Sequence, residues 1–572
     1  MTEPDRPQRV VVVGGGITGL VAARRLAQAG HDVTLLEAAN RLGGQVHTVD
    51  LGTRRVDVGA EAIHLGSPVA RSLVEELGLS GTVLGSRPGQ SWLWTGRGLR
   101  ALPAGVTPSG PTRLRPVVTS GVMSVRGLGR AGLEPLVARL RPGLADDEDI
   151  SVGEFVSSRF GPEVTQRFID PLLGSLHAGD VHRLSLRACA PALVDAATHR
   201  RSIVRRRPAP PAPAGGAPLP MFASWPGGLG TLTEAILVGL PVAVRLGCRV
   251  DRIIRSASGY TLEVTQLTGG TGSAERIEAD GIVLAVPAAA AAPLLAPHSR
   301  RAESILERAE VAKVATVVLG YEPSATKDLR AFAGTGVLLP STAGLLLKAA
   351  THLSRKWPQF ADDELSLVRL SAGRSGDNRI EELSDDELVT QLVDDYRTVA
   401  GVEAQPQVLH VQRWSDGLPQ LRVGHTARLT ALRDEVSHAL PGIVLAGSGY
   451  DGLGLASCIA SGEAAAAALS LRASPPPTAA TPSATPPRPA QSAHDDGHGA
   501  RRRPSPAPRT RGPPDDRHLG GHARLRARLP ALPRGRAAPT QPARADDRAG
   551  ADPARRHRSV GRAIPHRRAD RW

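Results

Sequence analysis

Cysteine is scarce in this chain of 572 residues. There are three, Cys189, Cys248 and Cys458, far apart and with no CxxC or Cys/His ligand spacing. That excludes a disulfide framework and a thiolate metal site, and it fits a reducing compartment. Also missing is any run of about 18 apolar residues, so no transmembrane helix is expected. The apolar stretch at residues 10–13 is too short for a signal peptide and ends in glycines. These absences point to the cytoplasm and leave peripheral membrane contact open. No internal repeat of fixed period is present. The last hundred residues lack both Lys and Glu. Residues 473–572 hold 21 Arg against 8 Asp, a net +13, out of +15 for the whole chain. A basic balance normally invites a nucleic-acid reading. Here it describes the tail and not the fold, so no specific nucleic-acid partner is inferred. The same stretch has 18 Pro and no apolar period. Such a composition cannot offset the entropy of ordering and reads as disordered. A solvated tail for anionic surfaces and an out-of-frame extension of a GC-rich gene are both open.

The rest of the chain is well patterned, and its length predicts two or three domains. Residues 10–13 are a β-branched run, as expected of a buried parallel strand, and end at Gly14. Residues 17–29 show helical spacing, with Leu20, Ala23, Leu26 and Ala27 on one side, closed by Gly30. Residues 32–36 form a second short strand ending at Glu37. Gly14, Gly16 and Gly19 match G-x-G-x-x-G in this strand–turn–helix context. Gly14 permits the turn, Gly16 lets backbone approach a pyrophosphate, and Gly19 allows close packing of helix on strand. Glu37, at the strand end, can accept ribose hydroxyls. A dinucleotide cradle follows from these residues together. Arg41, Gly43 and Gly44 lie just beyond the acid, where they suit further contact with an extended dinucleotide.

Helices are expected at 69–77, 150–168 and 385–399. Strands are expected within 242–264 and at 281–286, 311–321, 366–371 and 442–446. A stiff Pro-rich loop is expected at 205–220. Near residue 450 a glycine-rich loop, with Gly447 in it, runs into a helix start at Leu455, Ser457, Cys458 and Ile459. It can approach the other end of the same cofactor.

The run from Glu37 through Arg41, Gly43 and Gly44 to Asp57, Gly59 and Glu61 resembles the FAD fingerprint of the amine-oxidase and protoporphyrinogen-oxidase superfamily. Asp170, Pro171, Gly174, His177 and Gly179 resemble its porphyrinogen-oxidase branch. So do residues 226–232, Lys348 with Lys356-Trp357-Pro358, Arg413-Trp414 with Pro419-Gln420, and the closing segment through Cys458 and Gly462. The likeness runs in order over about residues 8–470 and resembles the actinobacterial, oxygen-dependent type. It departs at Ala456-Ser457, where Pro-Asp is usual, and at Leu421, where Tyr is common.

The resemblance implies an α/β fold: a discontinuous Rossmann-like FAD-binding domain (1–70, 222–292, 438–472), then a mixed-sheet substrate region with a helical insertion (71–221, 293–437). The disordered tail (473–572) follows. It implies FAD held by Gly14, Gly16, Ile17, Thr18, Gly19, Glu37, Arg41, Gly43, Gly44, Gly59, Val250, Gly447, Leu455, Ser457, Cys458 and Ile459, with Ser457 capping the helix that faces the flavin. No metal is expected. It further implies oxidation of coproporphyrinogen III by dioxygen in heme biosynthesis, with protoporphyrinogen IX as the alternative and downstream heme-pathway enzymes as partners. A related flavin amine oxidase or desaturase, and a non-catalytic flavin-bound partner protein, remain as rivals. No acid–base pair stands out. Arg113 and Arg115 are candidates to grip propionates. Lys348 is a further candidate substrate contact, although its simplest reading is a surface lysine at a strand end. His177 and His425 read as structural hydrogen-bonders, and Cys458 as packing.

Overall fold

The computed structural model describes residues 7–204, 219–267, 274–361 and 364–473. The tail from 474 onward, and all but the end of the Pro-rich loop, lie outside the described residues.

The fold is α/β and is built on two sheets. The first has five parallel strands in the order Val242–Leu246, Asp32–Glu37, Arg9–Val13, Gly281–Leu284 and Ile443–Leu445. The central Arg9–Val13 strand is buried on both faces, which explains its unbroken β-branched run. Helix Ile17–Gln28 covers one face together with helix Leu455–Ala473. The two helices pack closely because Gly462 has no side chain: a Cβ there would strike the Thr18 carbonyl. An antiparallel sheet, Cys248–Ser256, Gly259–Gln266 and Ala274–Ala279, seals the opposite face through Ile253, Tyr260 and Leu262. Each such buried side chain contributes roughly 1.5–3 kcal/mol.

The second sheet has seven strands, from Gln407–Pro419 through Val311–Tyr321, Ser366–Ala372, Leu347–His352, Gly334–Leu338 and Gln90–Trp94 to Leu99–Ala101. It is mixed, since Gly334–Leu338 pairs parallel to Gln90–Trp94 and the other pairs are antiparallel. Helix Asp385–Ala400 packs on it through Leu388, Leu392 and Tyr396. Its ends are encoded locally. Ser384 and Glu387 form a reciprocal capping box, acids fill the first turn, and Gly401 closes it at φ 74°.

The insertion is helical: Leu114–Thr119, Val125–Gly132, Glu134–Leu140, Val152–Phe160 and Pro191–Thr198 surround Phe155, Val156, Phe160 and Phe168. The expected helix at 150–168 is interrupted. Gly161, at φ 94°, and Pro162 end its first part. The chain then continues as a π-helix, Thr165–Gly174, with Pro171 inside it. Among the described residues no helix is long and apolar enough to cross a membrane.

Candidate functional site

The first glycines divide into two kinds. Gly14, at φ 105°, and Gly19 are required by packing, because a Cβ at either would meet backbone of residue 285 or of Gly14. Gly16 differs: nothing lies within 4 Å of the place its Cβ would occupy. This open space adjoins the start of helix Ile17–Gln28, where the N–H groups of Ile17, Thr18 and Gly19 have no intrahelical acceptor. It is an anion cradle by construction. Glu37 borders it, its Oε2 accepting from the Gly15 amide at 2.6 Å and its Oε1 from the Ala39 amide at 2.8 Å. A carboxylate held this way keeps lone pairs for further donors.

The second glycine turn docks on the first. The Gly43 amide donates to the Gly15 carbonyl at 2.8 Å, and Gly44 passes so close that a Cβ would lie 3.2 Å from the Gly16 Cα. Arg41 folds onto that turn, donating to the Gly44 carbonyl at 2.8 Å, and lies 6.0 Å from the Trp414 ring centre. Burial lowers its pKa. Gly59 abuts the Gln45 carbonyl and Trp414. Val250 is buried in the antiparallel sheet, and the adjoining Gly247 amide donates to the Ala39 carbonyl at 2.8 Å. The early and late segments meet at Thr18 and Gly462, which brings the late glycine loop to the same region. Gly447, at φ 129°, donates to Ser461 Oγ at 2.9 Å, and Ser461 donates to Asp451 at 2.5 Å. Ile459 is fully buried, and burial pushes the Cys458 thiol pKa up, as expected of packing.

Three expectations need correction. The helix starts at Leu455, so Ser457 lies inside its first turn and does not cap it; Gly454, at φ 96°, takes the flanking position. Lys348 is not a surface residue but only 6% exposed. His177 is buried with Nδ1 unpartnered, and burial lowers its pKa to about 4. His425 does act structurally, bonded through Nε2 to the Tyr450 carbonyl at 2.8 Å.

Several residues not expected as cofactor or substrate contacts organise the boundary between the two sheets. Glu61 takes Trp357 Nε1 at 2.7 Å, Lys356 Nζ at 2.8 Å and Arg369. Burial would raise its pKa, but Arg369 and Lys356 outweigh that and hold it down at about 2. Arg369 also donates to the Asp57 and Gly59 carbonyls at 3.1 and 3.0 Å, tying strand Ser366–Ala372 to the fingerprint loop. Asp57 accepts from the Leu229 amide at 3.0 Å and from Thr48, and burial pushes its carboxyl up to about 6. An arginine interrupting the apolar strand at 366–372 was the sequence signal for this hub.

Lys348 sits at a bulge where the register between Leu347–His352 and Ser366–Ala372 slips. Burial, then Arg374 and Arg369, lower its pKa to about 7. Arg113 and Arg115 are exposed, flanking and opening helix Leu114–Thr119, and the structure does not bring them to Lys348 through any contact.

The residues around Gly16, Glu37 and Gly44 fit an adenine dinucleotide: an open cradle at a helix start, a carboxylate at the neighbouring strand end, and glycines wherever a side chain would obstruct it. Comparison with known proteins agrees with this geometry. Residues 17–470 match the family described as flavin containing amine oxidoreductase. A coproporphyrinogen III oxidase of Bacillus subtilis is 31% identical, over 81% of this chain and 97% of its own length. One from Mycobacterium leprae is 35% identical, over 80% and 97%. The crystal structure of a putative protoporphyrinogen oxidase from Exiguobacterium sp. 255-15 superposes with a TM-score of 0.70 at 28% identity, covering 81% of this chain and 99% of that one.

Proposed function

We propose, from the premise that the chain belongs to the flavin containing amine oxidoreductase family and is closely related to its coproporphyrinogen and protoporphyrinogen oxidases, that it oxidises coproporphyrinogen III to coproporphyrin III with FAD and dioxygen. The observation that carries this reading is the match to coproporphyrinogen III oxidases over 97% of their length. The open cradle at Gly16 beside Glu37 supports the cofactor. Bound FAD would supply a two-electron acceptor, reoxidised by dioxygen, which is itself reduced to hydrogen peroxide. Three rounds remove six electrons: one porphyrinogen and three dioxygen give one porphyrin and three hydrogen peroxide.

The chain's part is placement. The N–H groups at the start of helix Ile17–Gln28 would take the pyrophosphate, and Glu37 the ribose. Gly59, Val250, Gly447, Leu455, Cys458 and Ile459 would border the cofactor's length. Arg113, Arg115 and Lys348 are the cations proposed to meet substrate carboxylates. The reaction would run in the cytoplasm, with the basic tail free to touch an anionic membrane surface and the product passing to later heme-pathway enzymes. Protoporphyrinogen IX is the second reading, favoured by the name of the Exiguobacterium structure. The test is aerobic turnover of both porphyrinogens by purified yellow protein, with peroxide measured. Faster oxidation of coproporphyrinogen III at three peroxides per porphyrin is expected. Protein that lacks FAD, or that turns over neither substrate, overturns the reading.

A further inference from the structure

Four segments converge at one end of the second sheet's middle strands. The Ser341 amide donates to Asp170 Oδ2 at 2.6 Å, and Arg374 Nη2 donates to the Leu339 carbonyl at 2.9 Å. The Leu339 amide donates to the Lys348 carbonyl at 3.2 Å, and the Ser375 amide to the Ala178 carbonyl at 2.7 Å. Cationic donors gather here. Among the described residues the Lys348 amine has no hydrogen-bond or ion-pair partner. Arg374 Nη1 is buried and unpartnered, as is Nε of Arg369, whose other nitrogens are engaged by Glu61 and by backbone carbonyls. Glu61 is the counter-charge of Arg369 and Lys356, and Asp170, which also takes the Ser341 amide, and Asp377 act on Arg374; none of them pairs with Lys348.

A largely buried amine without an acid partner of its own is unstable in its charged form unless an anion joins it. The fold nevertheless fixes this arrangement. Asp395 accepts the amides of Leu346 and Leu347 at 2.7 and 2.9 Å, and so sets the chain just before the bulge that carries Lys348. The facing segment is the π-helix Thr165–Gly174, a form of helix common at functional sites. A phosphate is a poor match, because the cradle at Gly16 already offers a phosphate site of backbone amides. Guanidinium groups suit planar carboxylates.

We propose that Lys348 and Arg374 form a carboxylate-binding site that receives one acidic arm of the porphyrinogen. This rests on the reading under Proposed function and makes Lys348, rather than Arg113 or Arg115, a determinant of preference for the more acidic substrate. The site predicts an unusual pair of effects. Lys348→Met removes an unpaired amine from a residue only 6% exposed, so the folded protein should be at least as stable as before. The same change should weaken the site's hold on carboxylate.

The test uses the flavin-loaded full chain. Binding of coproporphyrin III and of its tetramethyl ester is followed by fluorescence, beside flavin content and thermal melting. Expected for Lys348→Met is an unchanged flavin ratio, a melting temperature equal to or above wild type, and a Kd for the tetra-acid raised about tenfold or more. Ester binding should not change. An unaltered Kd for the acid, or equal weakening for acid and ester, overturns the site. Should Lys348→Met not load flavin, Lys348→Gln is measured in the same way and judged by the same outcomes. A wild type that oxidises neither porphyrinogen overturns the functional reading as well. An active wild type beside an unaffected variant overturns this site alone.

Discussion

Two glycines three residues apart carry different burdens. At Gly19 a methyl group would enter the Gly14 carbonyl, whereas at Gly16 it would enter empty space. Gly19→Ala should therefore fail at folding, with little soluble protein. Gly16→Val should fold with a near-normal melting temperature and yet purify colourless. Absorbance of released flavin against protein, beside a thermal melt, separates the two, and a yellow Gly16→Val would show that the cradle has been misplaced. A second residue-scale prediction concerns Asp57, whose carboxyl is raised to about 6 by burial. A raised carboxyl is favoured in its neutral form by the folded state. Its contribution is therefore fully present below about pH 4 and is lost as pH rises through 6. Asp57→Asn mimics the neutral form. Its melting temperature relative to wild type should climb between pH 4 and pH 7, by the equivalent of up to about 3 kcal/mol. A difference that stays flat across that range would count against the raised value.

At the scale of elements, the readable parts were those in which local chemistry and burial agree. Residues 10–13 are apolar because both faces of their strand are covered, and Ser384 with Glu387 announces a helix that forms as expected. The unreadable parts were decided elsewhere in the chain. Gln407–Pro419 is a long strand with many partly exposed polar positions, and only its pairing with Val311–Tyr321 makes it one. Lys348 resembled a surface lysine because it is buried at a bulge in the pairing of two strands, which has no local signature. Likewise the cradle glycines and Glu37 were legible as a set, but the hub at Glu61 and Arg369 joins residues 308 positions apart. The clamp from helix Asp385–Ala400 to the Lys348 strand gives a test at this scale. Asp395→Ala leaves two buried amides without an acceptor. It should cost roughly 1–3 kcal/mol in urea unfolding and raise KM for the porphyrinogen more than it lowers flavin content. A loss of flavin equal to the loss of activity would point to general unfolding instead.

For the whole molecule, composition divides the chain near residue 473. Residues 1–472 carry a net charge of about +2, and residues 473–572 carry +13. Protein ending at Ala473 should keep wild-type flavin content and kcat, because the sheets and helices described are complete by that point. Its affinity for anionic vesicles should fall, since each basic residue near lipid contributes roughly 1 kcal/mol before screening by salt. Sedimentation with phosphatidylserine vesicles at two salt concentrations measures this. Loss of activity on truncation would give the tail a role that its composition does not predict.

The order in which the first sheet is assembled has a consequence for synthesis. Its middle strand is Arg9–Val13, but its edge strand Ile443–Leu445 and the covering helix Leu455–Ala473 come last. At roughly 5–20 residues per second, roughly 20–90 seconds of translation separate the two. Through that interval the glycine turn emerges from the ribosome without the helix that packs against it, its apolar face open to chaperones or to mispairing. The cofactor would then be captured only after the chain is nearly finished. A nascent chain stalled before residue 443 should bind no flavin, however long it waits.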